Sequence, residues 1–248
     1  MRTIKKVASH IFIDGFGGMT QGLFATLIIG TMIQQIGLLI GGSTGNVIYL
    51  LGKAAAALTS AGIGVGVAVK YGESPLVTVS AAVAAMVGGY AGKITGGTFF
   101  VDGNAVLAGP GEPLGAFIAA FAGITCGHLV SGKTKVDIIV TPVITIGAGS
   151  VVGLLVGPPI SQMMTGLGSI INWATEQRPF IMGIVVSVVM GMVLTLPISS
   201  AALGIILNLS GLAAGAATIG CCCNMVGFAV ASYRENKFGG LVAQGPVS

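Results

Sequence analysis

Apolar residues run along this chain in stretches of 15–24 residues, separated by short polar segments rich in glycine and proline. Crossing a hydrocarbon core about 30 Å thick takes about 20 apolar residues in a helix, so each stretch reads as a transmembrane helix. The pattern predicts spans over 21–40, 54–69, 75–92, 111–130 and 138–156, a short one over 160–174, then 179–196 and 203–226. Ahead of them, 3–16 sets Ile4, Val7, Ile11 and Gly15 on one helical face, with Arg2, Lys5, Lys6 and His10 elsewhere. Asp14 interrupts that run and no small-residue cleavage site follows, which argues for a surface amphipathic helix over a removed signal peptide.

Charge changes the picture by orienting it. Only 11 Lys and Arg and 7 Asp and Glu occur among 248 residues, and 54% of the chain is hydrophobic. That composition excludes a soluble globular domain. With the N-terminus inside and eight crossings, the inner loops hold Arg2, Lys5, Lys6, Lys70, Lys133, Lys135, Arg178, Arg234 and Lys237, and the outer ones only Lys53 and Lys93. The excess of Lys and Arg marks the cytoplasmic side, so both termini are expected there. The expected fold is all-α: a polytopic helical membrane protein of about eight spans. Residues 1–19 form an amphipathic cytoplasmic segment, 20–232 a single transmembrane domain, and 233–248 a short cytoplasmic tail. The net charge of +4 is scattered and reflects topology, so no nucleic-acid partner is expected.

Glycine, at 42 residues, recurs at four-residue spacing in Gly37/Gly41, Gly88/Gly92, Gly111/Gly115, Gly123/Gly127, Gly149/Gly153/Gly157 and Gly211/Gly215. Such pairs flatten one helix face and let a neighbouring backbone come close, either within the chain or across a dimer seam. Gly62, Gly64 and Gly66 predict a bend in the second span. Related patterns after the first and fifth spans (Gly37 to Gly41, Gly153 to Gly157) suggest two parallel four-helix repeats.

Polar groups are costly in a bilayer and therefore mark candidate sites. The segment 95–115 is half apolar, rich in glycine and interrupted by Pro110 and Pro113, too broken for a helix. Asp102, Gly103 and Asn104 read as a turn, and Glu112 stands where a helix begins, favoured by its positive end. Two readings stay open: an external loop, or a re-entrant loop contacting substrate or an ion. A second break centres on Pro197, Ser199 and Ser200. Further polar candidates are Gln34, Gln35, Asn46, Thr98, His128 and Asn208, each also suited to an interhelical hydrogen bond.

Cys221, Cys222 and Cys223 are consecutive, lacking the spacing of a zinc or redox motif. With Cys126 they read as small packing residues, with acylation of the triplet as the alternative. His10 and His128 stand apart from any metal-type cluster, so neither metal nor cofactor is expected; with no room for a folded soluble domain, the chain is not expected to be catalytic on its own.

The segments 95–115, 195–201 and 224–236, the last ending in Ser232, Tyr233, Arg234, Glu235 and Asn236, resemble the membrane subunit (enzyme IIC) of the sugar phosphotransferase system, in the branch that includes the perfringolysin O regulator. The resemblance covers nearly the whole chain. It implies a bacterial inner-membrane permease, a homodimer embedded in lipid, that binds a sugar for phosphorylation by a IIB partner charged from IIA. In other enzyme IIC families an acidic residue in a Gly-Glu-Pro-like loop contacts the sugar, and here that residue is Glu112. Members of the family continue beyond Gly245 into further membrane segments, which leaves open a natural short C-terminus or a truncated or frameshifted product for a chain ending at Ser248. No histidine or cysteine sits in a phosphate-accepting context, leaving phosphate chemistry to the partners.

The expected function is thus a permease subunit with Glu112, Asp102 and Asn104 accepting hydrogen bonds from sugar hydroxyls, and Thr98, Gln34, Asn46 and His128 as further substrate contacts. The alternatives are a membrane-embedded regulator or scaffold binding a partner through 133–137 or 234–237, and a channel through a dimer.

Overall fold

The computed structural model describes residues 14–244 apart from 102, 108, 195–203, 205, 206 and 208. The first span is helical throughout Phe16–Ile40: α1 (Phe16–Leu23), a π-helical segment (Phe24–Ile28), and α2 (Ile29–Ile40). Gly41 and Gly42, at φ of 67° and 65°, reverse the chain in a conformation that a Cβ disfavours. Then α3 (Gly42–Ala57) and α4 (Thr59–Lys70) return antiparallel to it. The two meet at Leu58 (φ −88°, ψ 11°), where the helix axis turns by 54°.

Glycines line both levels of this hairpin. A Cβ on Gly18 would stand 2.6 Å from the Gly66 carbonyl oxygen, and one on Gly30 2.8 Å from that of Gly52. Lipid does not drive helices together as water does, so such close backbone packing carries much of the association. This corrects two expectations. The segment 42–53, read as a loop, is helical because its Gly45 and Gly52 pack on Gly37 and Gly30. The bend expected at Gly62, Gly64 and Gly66 falls instead at Leu58; those glycines lie in regular helix against Gly22, Ala81 and Gly18.

Next come α5 (Pro75–Gly89), a short α6 (Ala91–Thr95), and a two-stranded antiparallel hairpin, β1 (Phe100–Val101) and β2 (Asn104–Ala105), pairing Phe100 with Ala105. Ser74 caps α5, accepting the Val77 N–H at 3.4 Å, and Pro75 fits its first turn. Then follow α7 (Pro113–Val130), α8 (Asp137–Gln177) and α9 (Pro179–Val193), and finally α10 (Gly211–Gln244), kinked at Lys237.

The chain divides into two compact units, Met1–Met163 and Met164–Ser248. In the first, α1, α4, α5, α7 and the opening turns of α8 pack side by side, and the stripe Gly149/Gly153/Gly157 lies on Ala84, Gly88, Ala91 and Ala119. Its core is small-residue: Ala81, Ala84, Ala85, Ala116, Ala119 and Ala120 are buried. In the second, Val186 and Met190 of α9 pack on Ala217 of α10, and the Asn224 side-chain amide donates to the Gly191 carbonyl at 2.7 Å. Cys221 belongs to that packing, while Cys222 and Cys223 are exposed.

Among the described residues four helices are long and apolar enough to cross a membrane, five if the bent pair α3–α4 is one span, with α5 and α9 shorter apolar helices. The fold is therefore an all-helical, polytopic membrane bundle. The expected fifth and sixth spans share one helix, α8, which keeps Pro142, Pro158 and Pro159 inside it. Neighbouring groups can satisfy the carbonyls that such prolines free in membrane helices. The break around Pro197, the polar Asn208 and most of the amphipathic N-terminal segment lie outside the described residues.

Candidate substrate site at the broken end of the bundle

Glu112 is the residue before α7, in extended conformation (φ −92°, ψ 114°). Its two oxygens accept the first free N–H groups of the helix, one from Leu114 at 3.1 Å and the other from Gly115. Its own N–H donates to the Gly89 carbonyl at 2.7 Å, pinning the loop to the end of α5. Burial pushes the Glu112 carboxyl up from its ordinary value, while the Gly115 and Leu114 N–H groups pull it back. A carboxylate offers about four acceptor positions, and two are taken by these bonds.

The loop backbone before Glu112 is clasped from two helices. The Ser60 hydroxyl of α4 donates to the Pro110 carbonyl at 2.9 Å. The Tyr90 hydroxyl lies 3.3 Å from the Ala57 carbonyl and also reaches that of Gly109. Gly109 and Gly111 adopt φ of 81° and 76°, and a Cβ on Gly111 would lie 3.1 Å from the Gly89 oxygen. Only glycine allows the strand to run so close over α5.

Outward from this clasp, the Phe99 ring packs tilted at 53° against Tyr90, 5.3 Å between ring centres, and the Lys93 ammonium lies 5.4 Å from the Tyr90 ring centre. The β1–β2 hairpin extends beyond with Phe100 and Val101 exposed. The segment expected to be broken is thus a clasped strand and a hairpin joining two helices.

The structure gathers the expected site residues only in part. Asn104 sits in β2 opposite Val101, and Thr98 donates from its hydroxyl to the Lys93 carbonyl at 3.4 Å, both on the Glu112 loop. Asp102 lies outside the described residues. Gln34 is on α2, its amide donating to Gly30 at 3.4 Å, and Asn46 is exposed in the first turns of α3. His128 is near the far end of α7, about 24 Å from Glu112 by helical rise. There its Nδ1 lies 2.9 Å from a Glu73 oxygen, beside a 3.0 Å contact between the Ser74 and Ser131 hydroxyls. Tyr71, in the same turn as Glu73, has its phenol pushed up to about 12 by burial first and by the Asp14 carboxylate second.

Sequence reasoning missed Ser60 and Tyr90. Both carried a signal: a hydroxyl at the start of an apolar helix, and a tyrosine directly after Gly88 and Gly89 at the end of one.

Compared with known protein families, residues 13–247 match the family described as the phosphotransferase system EIIC. No curated protein and no solved structure matches the chain.

Proposed function

The chain belongs to the phosphotransferase system EIIC family, and from that premise we propose that it binds its sugar at the Glu112 loop. It is a multi-pass membrane protein of a sugar transport system. In the proposed reading the sugar's hydroxyls donate to the acceptor positions that Glu112 leaves open, with Asn104 and Thr98 on the same loop. The bound sugar is then phosphorylated by the IIB partner, itself charged from IIA, as translocation proceeds. In the proposed reading the unit is a homodimer in the bacterial cytoplasmic membrane with both termini cytoplasmic.

The observation that carries the reading is a half-buried carboxylate at a helix start, held by backbone alone, on unwound chain at the end of a membrane bundle. Backbone of this kind at the end of membrane helices suits a polar ligand. The test is thermal stabilisation in lipid nanodiscs against a panel of sugars and sugar phosphates, wild type beside Glu112→Gln. A saturable shift for one sugar, lost in the variant, supports the permease reading. No shift for any sugar in a well-folded sample transfers the weight to a regulatory membrane protein.

A further inference from the structure

The geometry points to Tyr90 as a positioning residue that couples the bend of the α2–α3 arm to the seating of the Glu112 loop. In its link to substrate this rests on the sugar-site reading above. A phenol carries one proton, and the Tyr90 oxygen faces two acceptors: the Ala57 carbonyl at 3.3 Å and the Gly109 carbonyl. Tyr90 is 1% exposed, so water is poorly placed to serve whichever carbonyl is left. The two bonds therefore compete.

Each acceptor reports on a different element. Ala57 is the last residue of α3, directly before Leu58, where the arm departs from α4 by 54°. On the other strand of the arm the π-helical segment Phe24–Ile28 sits at the same level, since a Cβ on Gly62 would lie 2.6 Å from the Thr26 methyl. Departures from α-helical geometry in both strands at one height make a hinge, and π-helical turns recur at functional places. Gly109 belongs to the strand that leads to Glu112, held otherwise by Ser60 on Pro110 and by Glu112 on Gly89. When Tyr90 donates to Gly109 the loop is seated and the end of α3 is released. When it donates to Ala57 the arm is held at its bend and the loop is freed to move with a ligand at Glu112.

The test needs no sugar, so it is separable from the sugar-site reading. In a full-length background with Cys126, Cys221, Cys222 and Cys223 replaced by serine, spin labels are placed at Ser43→Cys on the arm and Lys133→Cys at the far end of the bundle, both exposed positions. Pulsed dipolar spectroscopy in nanodiscs is expected to give two distance populations. Tyr90→Phe removes the bond from both states. Because the Gly109 carbonyl is the nearer acceptor, the seated-loop population should lose more, shifting the ratio against it by about two- to ten-fold, at most the effect of one hydrogen bond. Phe99→Leu, which removes the ring packed against Tyr90 and keeps the hydroxyl, should leave the ratio unchanged. Maleimide labelling at Leu107→Cys should change rate together with the ratio in Tyr90→Phe. Should Tyr90→Phe fail to reconstitute, Ser60→Ala, which opens the other clasp, is expected to shift the ratio toward the population with the freed loop. A single population in wild type, an unchanged ratio in Tyr90→Phe, or an equal shift in Phe99→Leu would overturn the proposal.

Discussion

A Cβ built on Gly153 would stand 2.8 Å from the Cα of Gly88, so α8 and α5 meet backbone to backbone. Side chains of ordinary size cannot enter that contact without separating the helices. Gly183, on α9, has nothing within 4 Å of its Cβ position and serves as the contrast.

Gly153→Ala is therefore expected to lower stability by about 1–3 kcal/mol, the usual cost of overpacking. Gly183→Ala, inside a helix with open space at its Cβ position, should leave stability unchanged or raise it by up to about 1 kcal/mol. Melting temperatures of the two variants in one lipid preparation check the difference; equal melting temperatures would refute the packing role of Gly153.

Glu112 caps α7 in addition to its proposed role with sugar. Glu112→Ala should cost about 0.5–2 kcal/mol of stability, as loss of a helix cap does, whereas Glu112→Gln keeps an acceptor and should cost less. The folded chain raises the Glu112 carboxyl above its ordinary value of 4.5 and so binds the proton more tightly than the unfolded chain. Its contribution to stability is full below 4.5 and is lost as pH rises through the raised value. Wild type should accordingly lose melting temperature relative to Glu112→Gln across that window, and parallel pH profiles would contradict the burial of this carboxyl.

His128 is at the opposite end of α7 from the Glu112 loop, its side chain 71% exposed beside Glu73. His128→Ala should leave any sugar-induced thermal shift unchanged and cost at most about 1 kcal/mol of stability, as exposed ion pairs do. Loss of the sugar response in this variant would bring His128 back to the substrate site.

In the second unit the Asn224 amide is bonded to the Gly191 carbonyl at 2.7 Å. Asn224→Ala should cost about 0.6–1.7 kcal/mol, the range for interhelical hydrogen bonds in membranes. An unchanged unfolding midpoint would mean that lipid-exposed states satisfy these groups equally well.

The membrane bundle was legible in the length of the apolar runs, and the start of α7 in Glu112 followed by Pro113. The helical α3 was hidden because Ser43, Thr44, Asn46 and Lys53 interrupt its apolarity, and the glycine spacing that seats it is seven, Gly30 and Gly37 against Gly52 and Gly45. The pairing of Gly18 and Gly22 with Gly66 and Gly62 was equally hidden, since a contact between distant segments leaves no periodic mark in either one. For the same reason Tyr90 and Ser60 read as ordinary helix-end residues until the loop is laid across them. His128 was singled out for its chemistry, and only the direction of α7 removes it from Glu112.

The π-helical turn also sets a rotational phase. Eight residues lead from Gly22 to Gly30 on the ascending strand, whereas ten lead from Gly52 to Gly62 on the descending one, yet Gly22 faces Gly62 and Gly30 faces Gly52. Each residue of an α-helix advances about 100° around its axis. Eight α-helical steps would carry Gly30 about 80° off the Gly22 face, and the wider π turn absorbs that excess. Rewinding Phe24–Ile28 as regular α-helix at the same length would turn Gly30 and Gly37 away from their partners together. Homologous chains should thus either keep the π turn at this length or lose the turn and one residue together.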